Sequence, residues 1–309
     1  ALHEVAGEAD LLVYSCNNTK PSPRGWRHGL YYLVNLFTVR NRMTRRAPWP
    51  HDLPIKDLAE FDARDDGNWQ ELPLGLIEKL RSDRLDVILK FGMGLLRVPP
   101  EDVLPLPILS YHHGDPAVFR GRPAGFYEML GNVPVVGQVV QRLSNKLDAG
   151  DILAFAETKV AAHSYRATLV EAYRHSPLLL RRAIWNCLDG FGIKPEQWGK
   201  NYRLPSNGLV IAFLLKQSRA ALQRLFYGMF SEKRWQVATA PVDGAPSANS
   251  AVLALSRRAE WSPVSTPAGY RFLADPFFHP REGLLVEAFN SRTSRGEILH
   301  INRDFSRRL

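Results

Sequence analysis

Short, unbroken apolar runs alternate along this chain with segments whose apolar residues recur at helical spacing. Asp10–Ser15, Asp86–Phe91, Leu106–Ser110 and Val135–Val140 are brief runs bounded by polar residues and predict buried strands, and Ile152–Val160, with partial alternation, predicts another strand. Helical spacing predicts helices over Trp26–Met43, Leu74–Arg81, Arg122–Gly131, Tyr165–Arg174, Pro177–Leu188 and Leu209–Phe230, with Leu2–Ala6 as the end of an earlier one. Punctuation agrees with these limits. Ser164 is placed as an N-cap, Pro177 lies in a first turn, and Gly131 and Gly190 follow the last periodic residues. Ala47–Leu72, rich in Pro and Asp, is expected to loop across the surface with one short strand.

Strands alternating with helices predict an α/β fold with a doubly wound sheet. Such a domain opens with a strand and a glycine-rich turn, and neither precedes Asp10, so the first strand is expected to be missing. Pro195–Gly208 reads as a linker and Ala240–Ala251, rich in Pro, Gly, Ser and Ala, as a loose connector. Beyond it, Tyr270–Phe278, Gly283–Phe289 and Gly296–Ile301 are short strand patterns separated by turns, an all-β tail. The organisation expected is residues 1–195 as the main domain, 196–254 as linker and amphipathic helix, and 255–309 as a partial β segment.

Charge and cysteine content narrow the classes. The chain has 40 Lys and Arg against 31 Asp and Glu, a net charge of +9, which suits acidic partners or a solvated basic surface. Arg40, Arg42, Arg45 and Arg46 crowd the end of the first long helix pattern, where cations suit the dipole; a phosphate or membrane contact is the alternative. The basic helix Leu209–Phe230 is expected to pack on the main domain, with a membrane surface as its alternative. Aromatic residues are not interleaved with basic ones, so a nucleic-acid binder is not expected. No apolar run is long enough to span a bilayer, and two cysteines, Cys16 and Cys187, give no disulfide framework and suit a reducing, cytoplasmic setting. Cys187 lies on an apolar helix face and reads as core.

The chemistry concentrates in two polar clusters at strand exits, Ser110-Tyr111-His112-His113-Gly114-Asp115 and Asp148-Ala149-Gly150-Asp151. Titratable residues where a strand leaves a core are costly unless they are partnered, which marks a candidate site. The layout predicts both clusters at strand ends on one rim of the sheet. Gly92-Met93-Gly94, after a third strand, lets a backbone approach a flat ligand. His112, His113 and Asp115 lack a fourth ligand at a familiar spacing, so no metal is expected.

Ser-x-His over Ser110–His112, then Phe119-Arg120-Gly121, then Leu147-Asp148-Ala149-Gly150-Asp151-Ile152-Leu153 resembles the folate-dependent formyltransferase family. That family includes methionyl-tRNA formyltransferase and the sugar N-formyltransferases. The resemblance covers about residues 10–190. It departs where Ser110 stands in place of the family's asparagine, and where His113-Gly114-Asp115 replaces Pro-Ser-Leu. It implies a formyltransferase-like Rossmann fold and an enzyme that moves a formyl group from 10-formyltetrahydrofolate to a small-molecule amine. His112, Asp148 and Ser110 would be its catalytic set. Phe91, Gly92, Met93, Gly94, Leu95 and Leu96, with Asp148, would bind the folate, and His113, Asp115 and Arg120 would meet the acceptor. The tail, with Ala274-Asp275-Pro276-Phe277 and Val286-Glu287-Ala288-Phe289, resembles the opening blade of the propeller in glucosamine inositolphosphorylceramide transferase-like proteins, which implies an amino-sugar acceptor. Two alternatives stay open: a hydrolase on the same scaffold, and a degenerate binding module attached to a carbohydrate-active propeller. Asp275 belongs either to a sugar site or to the turn before Pro276.

Overall fold

The computed structural model describes residues 2–18, 25–40, 43–44, 55–232, 234–240, 261–279, 283–301 and 307–308. They fall into two compact units, Ala1–Arg224 and Leu225–Leu309. The connector expected at Ala240–Ala251, and Arg42, Arg45 and Arg46, lie largely or wholly outside the described residues.

In the first unit the chain runs β1 (Leu11–Cys16), α1 (Gly29–Phe37), β2 (Ile55–Phe61), β3 (Arg64–Asp66), β4 (Trp69–Glu71), α2 (Leu74–Ser82), β5 (Ile88–Lys90), β6 (Leu95–Leu96) and β7 (Ile108–His112). It continues through β8 (Phe119–Gly121), α3 (Phe126–Leu130), β9 (Val135–Arg142), β10 (Asp151–Lys159), α4 (Tyr165–His175), α5 (Leu178–Leu188), β11 (Lys200–Tyr202) and α6 (Asn207–Phe230), which runs on into the second unit. The central sheet has the order β10-β9-β7-β5. Only β5 and β7 are parallel; β9 runs antiparallel to β7, and β10 antiparallel to β9.

This mixed sheet corrects the doubly wound expectation. No crossover helix follows β9. The chain turns back within residues 143–150, and so short a connection joins antiparallel neighbours, not parallel ones. Three strands, β2 to β4, replace the single one expected within Ala47–Leu72. The helix expected over Trp26–Met43 is a 3-10 turn, Trp26–His28, followed by α1, which ends at Phe37. Pro195–Gly208 is no linker. Its strand β11 pairs in parallel with β8, and Arg122 N–H donates to Tyr202 O at 3.1 Å.

Two apolar layers clasp the central sheet. On one face Leu109, Val140, Leu153 and Ala154 pack on Leu179, Ala183 and Cys187 of α5. On the other, Ile108 packs on Leu76, Ile77 and Leu80 of α2. A third cluster joins Tyr31 of α1, Phe126 and Met129 of α3, Tyr165 and Leu169 of α4, and Val210 and Phe213 of α6. Phe126 is its centre, stacked on Phe213 at 4.3 Å and edge-on to Tyr165 at 6.2 Å. Ser164 caps α4 as expected, accepting from Ala167 N–H at 3.1 Å.

The second unit is an antiparallel meander of β12 (Ala238–Thr239) with β13 (Ser262–Pro263), and of β14 (Tyr270–His279), β15 (Gly283–Asn290), β16 (Arg295–Ile301) and β17 (Arg307–Arg308). Leu273, Val286, Ala288, Leu299 and Ile301 form its core. The described strands close no propeller or barrel. Asp275 sits at an irregularity of the β14–β15 ladder with φ of 44°, a bulge that turns it outward to solvent.

Because Phe126 is fully buried between three helices, Phe126→Ala is expected to lower the unfolding free energy by about 3–5 kcal/mol. Urea denaturation followed by far-ultraviolet circular dichroism measures it, and a loss below about 1 kcal/mol would contradict the packing described.

Candidate active site

Strand β7 is short and has a core on both sides, so its alternation decides where each polar residue goes. Ser110 and His112 share one face with Lys90, whose Cα is the cross-strand partner of Ser110. Tyr111 and His113 take the opposite face. There the His113 ring stacks on Tyr111 (6.3 Å), stands edge-on to Tyr173 (4.6 Å) and bonds Ser176 Oγ at 2.7 Å. Phe91 follows the same rule, its ring lying 6.0 Å from that of Tyr111. These contacts fasten the His113 ring to the α4–α5 corner.

His112 is the centre of the other face. Its Nδ1 lies 3.4 Å from Asp148 Oδ1 and its Nε2 is 3.2 Å from Phe119 O. Both nitrogens face oxygen acceptors, so only the doubly protonated ring donates to both. The second carboxylate oxygen, Asp148 Oδ2, accepts from Gly121 N–H at 2.9 Å. Asp148 has φ of 46°, the left-handed region that Asp tolerates better than most residues.

The two clusters do not share a rim, contrary to expectation. Because β9 is antiparallel to β7, its last residue, Arg142, pairs with Leu109, whereas His112 pairs with Val139. Asp148 leaves from the opposite end of the sheet, and the 143–150 loop returns it to His112. Two glycines make these approaches. A Cβ on Gly114 would stand 2.8 Å from His112 Nε2, and one on Gly121, at φ of 88°, would stand 2.0 Å from Tyr202 O.

Arg120 and Asp115 brace this arrangement. Arg120 Nε donates to Gly199 O at 2.7 Å and Nη1 to Leu147 O at 3.4 Å, tying β8 to the Asp148 loop and the β11 segment. Asp115 Oδ1 accepts from Ala117 N–H at 2.9 Å, and its backbone O accepts from Val118 and Phe119. Both side chains hold loops.

The Gly92–Leu96 loop is prefolded by internal bonds. Gly92 has φ of 68°, Met93 N–H donates to Phe91 O at 2.8 Å, and Gly94 N–H donates to Gln70 Oε1 at 3.2 Å. Leu95 and Leu96 pair with β4, and the Leu96 side chain is buried in the α2 cluster, so of these two only Leu95 is exposed. Gln70, buried with its Nε2 donating to Asn18 O at 2.9 Å, was not foreseen; inside an apparent loop region nothing in its spacing marks it.

Lys90 also escaped the sequence reading. Its Nζ donates to Met93 O at 3.3 Å, and burial lowers its pKa while the Asp148 carboxylate opposes that fall. The signal available was a lysine inside an otherwise apolar strand pattern, Val87-Ile-Leu-Lys-Phe91, where a cation needs a partner. Ser110 Oγ reaches only the Lys90 carbonyl, at 3.5 Å, and makes no bond to His112. The site thus carries an imidazole, a carboxylate, an ammonium and a hydroxyl on one sheet face, beside a prefolded glycine loop. Among the described residues no three His, Cys, Asp or Glu side chains converge as a metal site.

No protein-family model matches the chain, and no curated protein matches it. Solved structures similar to it include an engineered variant of HypX from Aquifex aeolicus, 14% identical with a TM-score of 0.39; the match covers 69% of this chain and 34% of that one. The chain therefore spans about a third of HypX. An N-formyltransferase from Helicobacter canadensis, in complex with folinic acid and dTDP-3-aminofucose, is 11% identical with a TM-score of 0.37, over 94% of this chain and 98% of that one. The formyltransferase PseJ from Anoxybacillus kamchatkensis is 15% identical with a TM-score of 0.34, over 63% and 86%.

Two buried groups near the site oppose each other with pH. Burial, helped by the charge of His112, depresses His113 to about 4, so its contribution is present above the ordinary histidine range and lost as pH falls through that window. Burial pushes Glu128 of α3 up to about 7, so its contribution is present in acid and lost as pH rises from the ordinary carboxylate range to neutrality. The two terms offset each other between about pH 4.5 and 6.5. Relative to wild type, Glu128→Gln should lose stability as pH falls through that window, and His113→Phe should lose it as pH rises. Urea midpoints across the range measure both, and parallel shifts in the two variants would contradict the assignment.

Proposed function

We propose that the chain is an N-formyltransferase that takes the formyl group of 10-formyltetrahydrofolate and places it on an amine, with an amino sugar as the acceptor class. The observation that carries this reading is the His112–Asp148 pair, clamped between Phe119 O and Gly121 N–H on the face shared with Lys90. The motif resemblance assigns those two residues to catalysis, and their contact is what the reaction needs.

The amine nitrogen attacks the formyl carbon, and charge develops on the formyl oxygen. Nitrogen N10 of the folate then leaves with the bonding pair and takes a proton, while the new amide nitrogen gives one up. Donors near the oxygen and an acceptor near the amine are the two requirements. His112, protonated, donates its Nε2–H to the oxygen in place of Phe119 O. Asp148 fixes the imidazole through Nδ1 and accepts the amine proton, directly or through water. Ser110 is too short to act as the family's carboxamide would. The Lys90 ammonium, on the cross-strand partner of Ser110, supplies the positive charge on that side. The prefolded Gly92–Leu96 loop offers the folate a rigid edge, with Leu95 as its exposed apolar side chain. Ser110 Oγ has no contact with the imidazole, which disfavours a serine-nucleophile hydrolase.

Formylated amine, free formate and bound folate are to be measured across an amino-sugar panel by mass spectrometry and titration. His112→Ala and Asp148→Ala should each lower the transfer rate about 100-fold or more, with less than additive losses when combined. Lys90→Met should lower kcat by a similar factor while folate affinity changes little. Ser110→Asn should preserve or raise the rate. Formate without an amine would mean hydrolysis, and folate binding without either product would mean a binding module; each result overturns the transferase reading.

A further inference from the structure

The positive charge of this chain is not spread evenly. Leu11–His51 contains seven Lys and Arg and no Asp or Glu, and Gln197–Ser231 contains five and none. Together they exceed the whole-chain net charge of +9, so the remainder of the chain is net acidic. These stretches contain α1 and α6, and the fold brings the two helix starts together. His28 Nδ1–H donates to Pro205 O at 2.8 Å, Asn207 Nδ2 donates to Trp26 O at 3.0 Å, and Leu30 N–H donates to Asn207 Oδ1 at 3.0 Å.

Each helix buries one face and leaves the other apolar and exposed. Tyr31 in α1 and Val210 and Phe213 in α6 enter the Phe126 cluster, with Leu30 and Val34 packed against it. The remaining α1 positions Leu33, Leu36 and Phe37, at i, i+3 and i+4, are 52%, 47% and 69% exposed, and Trp26 just before them is 94% exposed. On α6, Ile211, Leu215 and Leu222 recur at i, i+4 and i+11 on the side away from Val210 and Phe213, and are 50%, 69% and 67% exposed. Arg27 and Arg219 are exposed beside these residues. So many large apolar side chains left in water on two bonded helices mark an interaction surface.

We propose that the α1–α6 surface of the first unit docks on an anionic lipid bilayer, with its apolar side chains in the headgroup–acyl boundary and its arginines on the lipid charges. Charge complementarity selects this occupant. A second copy packed face to face would set Arg27 and Arg219 against their own copies. A nucleic acid would want stacking platforms, whereas most of the exposed side chains here are aliphatic. An apolar face of Leu, Ile, Phe and Trp with basic flanks suits the membrane interface. The helices lie on the bilayer and do not cross it: among the described residues no helix is long and apolar enough to span one.

Co-sedimentation of the full chain with phosphatidylcholine vesicles, with and without phosphatidylserine, tests this. Binding is expected with phosphatidylserine and about tenfold or more weaker without it. The double variant Phe37→Asp/Leu215→Asp should weaken binding about tenfold or more, as should Arg27→Glu/Arg219→Glu, while melting temperature is unchanged because all four side chains are exposed. Trp26→Phe should remove a vesicle-dependent blue shift from the fluorescence. No binding to phosphatidylserine vesicles at low salt overturns the proposal. So does binding that high salt abolishes and Phe37→Asp/Leu215→Asp leaves intact, which is plain polyanion attraction. Self-association that Leu215→Asp abolishes, with no vesicle binding, would assign the surface to a second copy.

Discussion

The strand β7 is buried on both sides, and almost everything in the site follows from that. A strand with one wet face can leave its polar residues in water; this one cannot. Its five residues have to find a partner on whichever side alternation assigns them. His112 is partnered by Phe119 O and Asp148, and Ser110 by the Lys90 carbonyl. His113, next along the chain, is locked between Tyr111, Tyr173 and Ser176. Neighbouring histidines therefore have opposite fates: one is held with a carboxylate beside a glycine loop, the other fastens the sheet to α4 and α5.

Satisfying His112 draws in much of the remaining chain. Asp148 arrives from the far end of the sheet, and its loop is held by Arg120, which also grips Gly199. The segment around β11 is thereby woven into the site, although its composition is that of a connector. Gly114 and Gly121 mark where backbones pass too close for any side chain. A buried polar group is costly unless it is paired, so the bonds that hold His112 and Asp148 also tie these loops together.

The α1–α6 surface belongs to the same unit but obeys a different constraint. Its inner side chains complete the Phe126 cluster, while about half or more of the surface of its outer ones stays in water. Basic residues without acidic company and apolar residues in water are each uneconomical alone; at a charged lipid interface both are favourable.

Local rules in the sequence determined the elements held by their own periodicity: α2, α4, α5 and α6, the strands β7, β9 and β10, the Ser164 cap, and the burial of Cys187 on α5. The pairing of His112 with Asp148 was also legible, because the spacing of Arg120-Gly121 and Asp148-Ala149-Gly150 resembled a known signature. What tertiary structure alone decided was direction and partnership. Whether β9 runs parallel or antiparallel to β7 depends on where the loop 143–150 returns, and apolar composition is the same either way. The side of the sheet that receives His113, the capture of Gly94 by Gln70, and the role of Lys90 beside Ser110 depend on residues about 20 to 60 positions apart in sequence. Periodicity reports only which way a side chain points along its own element; what it meets there is set by the long-range register of the strands.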